Sequence, residues 1–271
     1  MDLSIAGRTA VITGGDSGIG LATARLLASE GVNIVLTDKT QEKLDQVAEA
    51  IKAHLSHNAR VLAITADLTR NDQVLQLADR VKVELGGADI LINCAGARGA
   101  AGDFLSLSDD DWLGTIDIDL MGAVRVCRAF IPQMQARGWG RVVLVSSENA
   151  FQPYEEESPY NACKAAIINL AKCLSRAYSR DGLLINCVSP AYVETPMTNT
   201  MMEELAQERN TSVEEVVDWF LKNKRPHIAV HRRGQPDEVA AVIAFLSSEL
   251  ASYVNGSNYR VDGGSVESAF G

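Results

Sequence analysis

The sequence contains no pair of cysteines at C-x-x-C spacing. Its five cysteines, Cys94, Cys127, Cys163, Cys173 and Cys187, are odd in number and sit inside apolar helix or strand patterns. Buried, reduced thiols are therefore expected rather than a disulfide framework. The four histidines, His54, His57, His227 and His231, include one i, i+4 pair but no third ligand or clustered cysteine, and no metal site is expected. No apolar run approaches the roughly 18 residues a membrane span needs. The opening MDLSIAGR has no basic segment leading into an apolar one. A cytoplasmic, soluble protein is the expectation. Positive charge is also scarce: 25 Lys and Arg stand against 35 Asp and Glu, for a net charge of -10. Without a basic stripe, neither a nucleic-acid backbone nor an anionic membrane is an expected partner. No linker, composition shift, repeat or low-complexity segment divides the 271 residues, so one domain spanning 1–271 is expected.

Present instead is an alternation of short β-branched runs with helical patterns. Arg8 to Thr13 reads as a strand and stops at Gly14-Gly15-Asp16-Ser17-Gly18-Ile19-Gly20, before a helical pattern that ends at Gly31. A glycine turn between strand and helix lets backbone N–H groups approach a pyrophosphate, and the helix N-terminus favours its charge. A second strand, VNIVLT, ends at Asp38, close to 20 residues beyond the turn. A carboxylate there accepts hydrogen bonds from ribose hydroxyls and repels a 2′-phosphate, which points to NAD. Ser17 adds no positive charge and agrees. Lys39 could attract a phosphate and keeps NADP open. Asp38 also suits an N-cap for the helical pattern from Thr40 to His54.

Strand VLAIT leads to Asp67-Leu68-Thr69 and a helix from Asn71 to Leu85. Strand ADILINC then runs into Asn93-Cys94-Ala95-Gly96. This alternation predicts a doubly wound parallel sheet of the α/β class, with ligands beyond the carboxyl ends of the strands, where Asp67 and Asn93 fall. Pinning neighbouring strand turns is an equally structural role for Asn93. After a mobile-looking segment, 97–108, residues 109–134 read as one long helix with an acidic, dipole-compatible start. Strand RVVLVSS ends at Ser147, strand LLINCVS leads to Pro190, and a Met-rich helical excursion covers about 196–224. A helix from Pro236 and a last strand, about 256–261, close the chain.

The stretch from Ser158 to Asp181 has apolar and small residues every three to four positions, a helix with one buried stripe. Tyr160 and Lys164 stand one turn apart on the same face. A free phenol, with a pKa of about 10, is a poor base, but a held ammonium nearby favours the phenolate.

With these pieces in place the sequence resembles the short-chain dehydrogenase/reductase family over nearly its whole length. The motifs are T-G-x-x-x-G-I-G at Thr13 to Gly20, D-L at Asp67, N-x-A-G at Asn93 to Gly96, Ser147, Y-x-x-x-K at Tyr160 to Lys164, and P-x-x-x-x-T at Pro190 to Thr195. The resemblance implies a Rossmann-type fold of about seven parallel strands, hydride transfer with a nicotinamide cofactor, and a homodimer or homotetramer. It makes Tyr160 the general acid/base, its pKa lowered by Lys164 and by the oxidised nicotinamide. Lys164 would also hold the nicotinamide ribose, and Ser147 would bond the substrate oxygen. Thr195 and the backbone of Val193 would contact the carboxamide. The chain departs from the family twice. Asp119 stands where an Asn usually serves a proton relay, and Ala191 where Gly is usual. A carboxylate near Lys164 would offset part of the ammonium's effect on Tyr160; a helix residue facing a partner chain is the alternative.

The leading expectation is an NAD-dependent secondary-alcohol dehydrogenase. The alternatives are an NADP-dependent carbonyl reductase and a nucleotide-sensing module without catalysis, which the presence of both phenol and lysine disfavours. Phe151, Tyr154, Tyr192, Met197, Met201 and Met202 border the family's pocket, suggesting an apolar or alicyclic substrate under a lid, or else are core or subunit contacts. The run Glu155-Glu156-Glu157 suits a solvated loop capping the next helix better than a cation-attracting rim.

Overall fold

A computed structural model describes residues 2–53, 55 and 59–269. Seven strands form one parallel sheet in the order β3-β2-β1-β4-β5-β6-β7. They are β1 (Thr9–Thr13), β2 (Asn33–Thr37), β3 (Val61–Ala63), β4 (Ile90–Asn93), β5 (Gly140–Val145), β6 (Leu183–Pro190) and β7 (Asn258–Val261). Register makes the layers: successive strand side chains face opposite sides. Ala10 and Ile12 of β1, with Ile34 and Leu36 of β2, pack under helices α1 (Gly18–Ser29), α2 (Gln41–Lys52) and α9 (Pro236–Leu246). Val11, Val35 and Leu91 face the other way, onto α3 (Asn71–Leu85), α5 (Gly122–Gln135) and α6 (Ser158–Tyr178). Strands buried on both faces are continuous apolar runs, as β1 and β4 are. The order reverses between β1 and β4, which opens a crevice at the carboxyl ends of the central strands.

Residues 109–134 do not form one regular helix. α4 (Asp109–Ile116), started by a Ser108–Asp111 capping box, passes into a π turn over Asp117–Met121 before α5 begins. The apolar spacing continues across the turn, so periodicity does not reveal it. Segment 97–108 is tied down by Ala100 N donating to Thr115 Oγ1 at 3.0 Å and Gly102 N donating to Glu156 O at 2.8 Å. The excursion consists of α7 (Pro196–Arg209) and α8 (Val213–Asn223), which pack around Tyr192, Met202, Ala206, Val216, Phe220 and Ile228.

Several expectations are corrected. Thr40, not Asp38, is the N-cap residue of α2, and the expected end of that helix at His54 lies outside the described residues, as does His57. Cys173 is exposed and Cys94 half-buried, so only Cys127, Cys163 and Cys187 are buried thiols. Ala191 has no positive φ, so the turn after Pro190 accepts alanine without strain. His227 bonds Glu267 at 3.0 Å through Nδ1. Among the described residues no group of three His, Cys, Asp or Glu is placed to hold a metal ion, and no helix is long and apolar enough to cross a membrane.

Candidate active site

The crevice is a cleft of about 460 Å³ at the strand ends, within the size range of ligand sites. One wall is the glycine turn. A Cβ on Gly20 would lie 2.1 Å from Gly14 O, and one on Gly14 would lie 2.9 Å from Ala95 N. Only bare backbone fits this approach of helix to turn. Ser17 starts α1 but its hydroxyl donates to Asp16 Oδ1 at 2.7 Å and caps no N–H. The first turn of α1 therefore faces the cleft without a side-chain cap, which fits a pyrophosphate.

Gly14, Asp16, Ser17, Gly18, Ile19, Gly20, Asp38, Lys39, Asp67, Leu68, Ala95, Gly96, Pro190, Val193 and Thr195 all line this cleft, together with Ser147, Tyr160 and Lys164. Asn93 and Asp119 do not. Asn93 is buried behind the wall, where its Oδ1 accepts from Thr13 Oγ1 at 3.0 Å while that same Oγ1 accepts from Ala95 N at 3.1 Å. It pins the ends of β1 and β4. Asp119 lies beneath Lys164, with Oδ1 3.2 Å from Nζ and also accepting from Ala97 N at 3.2 Å.

Three carboxylates, Asp16, Asp38 and Asp67, and two lysines set the charge at the end of the cleft that holds Asp38. Lys39 Nζ lies 3.6 Å from Asp67 Oδ2, and Lys43 Nζ lies 2.7 Å from Asp16 Oδ2. Burial pushes the Asp38 carboxyl up from its ordinary value, against the Lys39 N–H that it accepts at 2.7 Å. Burial works the same way on Asp67, but the Thr69 N–H and hydroxyl and the Lys39 ammonium outweigh it and hold that carboxyl low.

At the other end, α6 hangs from β5 by Ser146 Oγ donating to Lys164 O at 2.7 Å. This fixes the helix so that Tyr160 and Lys164 face the cleft beside Ser147, with Lys164 Nζ 5.1 Å from the Tyr160 ring centroid. The expected pull of Lys164 on the phenol is present, but it is not the largest effect. Burial pushes Tyr160 above its ordinary value, Asp119 adds to that, and the pulls of Lys164 and the Ser147 hydroxyl do not overcome them. Burial also disfavours the Lys164 ammonium, yet Tyr160 and Asp119 together hold it above its ordinary value, so it stays a cation. The thiol of Cys94, at the same wall, is pushed up to about 12 by burial, against the pull of Lys164.

The model of the short chain dehydrogenase family matches residues 8–206. The chain belongs to that family. As a short-chain dehydrogenase it is an oxidoreductase that moves a hydride between a nicotinamide cofactor and an alcohol or ketone. It is 36% identical over 263 residues to oxidoreductase UcpA of Escherichia coli strain K12, covering 97% of this chain and 95% of that one. It is 35% identical over 264 residues to cis-4-hydroxycyclohexanecarboxylate dehydrogenase of Sinomonas cyclohexanicum, covering 97% and 98%. Among solved structures, L-sorbose reductase of Gluconobacter frateurii, complexed with NADPH and L-sorbose, superposes with a TM-score of 0.93 at 34% identity, covering 99% and 100%.

Of the apolar candidates for this dehydrogenase's pocket, Met197 lines the cleft. Tyr192 and Met202 are buried in the core of the excursion, with Met201 packed against it. Tyr154 lies under the Arg225 guanidinium, 3.4 Å from its ring centroid, and Phe151 is not a cleft residue. Of the acidic run, Glu155 and Glu156 are exposed; Glu157 holds the N-cap position of α6 without capping it and pairs with Arg225. Sequence reasoning missed Ile118, which the π turn presents to the cleft, and Ala97 and Thr198. It also missed Asn149, whose amide meets Ser147 through a contact no spacing rule reveals.

Proposed function

We propose that this protein is an NAD-preferring dehydrogenase of secondary alcohols, with Tyr160 as general acid/base. The observation that carries the reading is that Ser147, Tyr160 and Lys164 share one cleft with the glycine turn and Asp38. When bound, the nicotinamide supplies the hydride acceptor or donor. Tyr160 takes the proton from the alcohol oxygen as the hydride leaves the carbon that bears it, or returns the proton to the ketone oxygen as hydride arrives. The Ser147 hydroxyl holds that same oxygen, and the Lys164 cation favours the phenolate while it forms. Binding and orientation fall to the glycine turn and the first turn of α1, to Asp67, Leu68, Ala95 and Gly96, and to Pro190, Val193 and Thr195; Lys164 also holds the ribose next to the reacting ring. Positioning of this kind contributes much of such a barrier reduction.

The preference for NAD rests on charge. The Lys39 ammonium is shared with Asp67, and Asp16, Asp38 and Asp67 outnumber Lys39 and Lys43. A 2′-phosphate entering there meets net negative charge. The NADPH of the sorbose reductase complex supports the second reading, an NADP-dependent carbonyl reductase. The substrate is an alicyclic or polyol-like secondary alcohol, in keeping with the names of the cyclohexanecarboxylate dehydrogenase and the sorbose reductase. α7 and α8, adjoining the cleft at Met197 and Thr198, act as its lid. The working protein is a cytoplasmic homodimer or homotetramer. A screen of alicyclic alcohols, sugar alcohols and their ketones, followed at the NADH absorbance with both coenzymes, tests the reading. Turnover with NAD above that with NADP is expected. Faster turnover with NADP overturns the coenzyme preference, and binding of neither coenzyme overturns the function.

A further inference from the structure

Outside the cleft, a polar cluster joins the excursion to the strand end that carries Ser147. Arg225, just past α8, is almost buried, with 11% of its side chain exposed. Its Nη2 lies 3.5 Å from Glu157 Oε1 and its Nε 3.7 Å from Glu148 Oε1, and the guanidinium stacks on the Tyr154 ring. The Tyr154 hydroxyl donates to Glu148 Oε1 at 3.1 Å. One cation thus serves two carboxylates, one of which, on Glu148, directly follows Ser147 and is 2% exposed. A buried carboxylate next to Ser147 is costly without its partner.

From Glu157 the contacts continue to Ser147. Asn149 Nδ2 donates to Glu157 Oε2 at 2.7 Å and to Asn161 Oδ1 at 2.8 Å. Asn161 Nδ2 donates to Tyr154 O at 2.8 Å, so its own oxygen must face Asn149. The Asn149 amide is therefore locked: flipping it would set its oxygen against two acceptors. Its Oδ1 accepts from the Ser147 hydroxyl at 3.0 Å, and its backbone N–H donates to Ser147 Oγ at 3.2 Å. Two contacts from this one residue fix the place of the serine oxygen. Ser147 Oγ also bonds the Tyr160 hydroxyl, so Asn149 holds the serine oxygen beside the phenol.

We propose that Asn149 and Arg225 are positioning residues for the reaction, Asn149 by directing the Ser147 hydroxyl and Arg225 by holding Asn149 in place through Glu157. The proposal rests on the reading of Ser147 as the group that bonds the substrate oxygen. It makes the excursion part of the site's geometry as well as its cover.

The test compares Asn149→Ala, Arg225→Met and the double variant in steady-state kinetics, with coenzyme affinity measured by NADH fluorescence. Each single change is expected to lower kcat about 10- to 100-fold, the range for small misplacements of a reacting group, with coenzyme Kd unchanged. The double variant should be no slower than Asn149→Ala, because both act through one amide. Arg225→Lys, which keeps the charge, should recover part of the loss and stands in should the methionine variant not fold. Parent-like kcat in Arg225→Met, losses that multiply in the double variant, or a loss confined to KM would each overturn the proposal. Amide hydrogen exchange at Asn149 reads the positioning without turnover: its protection should fall in Arg225→Met, and unchanged protection counts against the proposal. A parent protein that turns over no alcohol or ketone, with that protection lost in the variant, would refute the functional reading and leave the positioning intact.

Discussion

Lys164 Nζ lies 3.2 Å from Asp119 Oδ1, with 6% and 0% of the two side chains exposed. Gly96 makes room for the pair: a Cβ there would stand 2.7 Å from Asp119 Oδ1 and 3.2 Å from Lys164 Nζ. The pairing divides the lysine between two partners. Asp119 holds the ammonium charged but also raises Tyr160, adding to the effect of burial. In Asp119→Asn the carboxylate's contribution is gone, so Tyr160 ionises at lower pH. Ketone reduction needs the protonated phenol, so its basic limb should move to lower pH, and the rise of alcohol oxidation should move with it. Profiles of kcat/KM against pH check this, and limbs that stay in place contradict it.

The proposed preference for NAD rests first on Asp38. Replacing it by serine removes the acceptor for the ribose hydroxyls and the charge that repels a 2′-phosphate, and leaves Lys39 and Lys43 beside the site. Asp38→Ser should lower kcat/KM with NAD and raise it with NADP, shifting their ratio by about tenfold or more, the equivalent of about 1.4 kcal/mol. The ratio measured with one substrate for parent and variant checks it.

Gly20 meets Gly14 O where a Cβ would stand at 2.1 Å. In Gly20→Ala either the turn opens or α1 shifts. Overpacking of this kind costs about 1–3 kcal/mol. The expected outcome is a lowered Tm together with loss of NADH binding, both visible in thermal melts with and without coenzyme. An unchanged melt that still rises with NADH would contradict this description of the turn.

How much was legible depends on the kind of signal. The glycine turn and the Tyr160–Lys164 pair are local: residue types at fixed spacing beside a strand end or on a helix face, and the structure brings them to one cleft. The sheet followed from alternation of element types. The π turn at Asp117–Met121 was not legible, because apolar periodicity runs through it unbroken, yet it delivers Ile118 to the cleft and Asp119 to Lys164. The pull of Lys164 on Tyr160 was legible from spacing, whereas the opposing effect of burial cannot be counted along a helix face. Tyr192 and Met202 read as well for pocket as for core, and only the packing of α7 on α8 assigns them to core. The lock on Asn149 needs groups from three segments and leaves no mark on spacing.

The central claim is that one phenol exchanges the proton while hydride moves to or from the coenzyme. Tyr160→Phe tests it most directly, because the ring and its packing stay and only the hydroxyl goes. With a substrate found by the screen, kcat should fall by about 10²- to 10⁴-fold, the usual worth of a positioned acid/base, while NADH affinity stays at the parent value. Turnover by the variant at the parent rate would contradict the account.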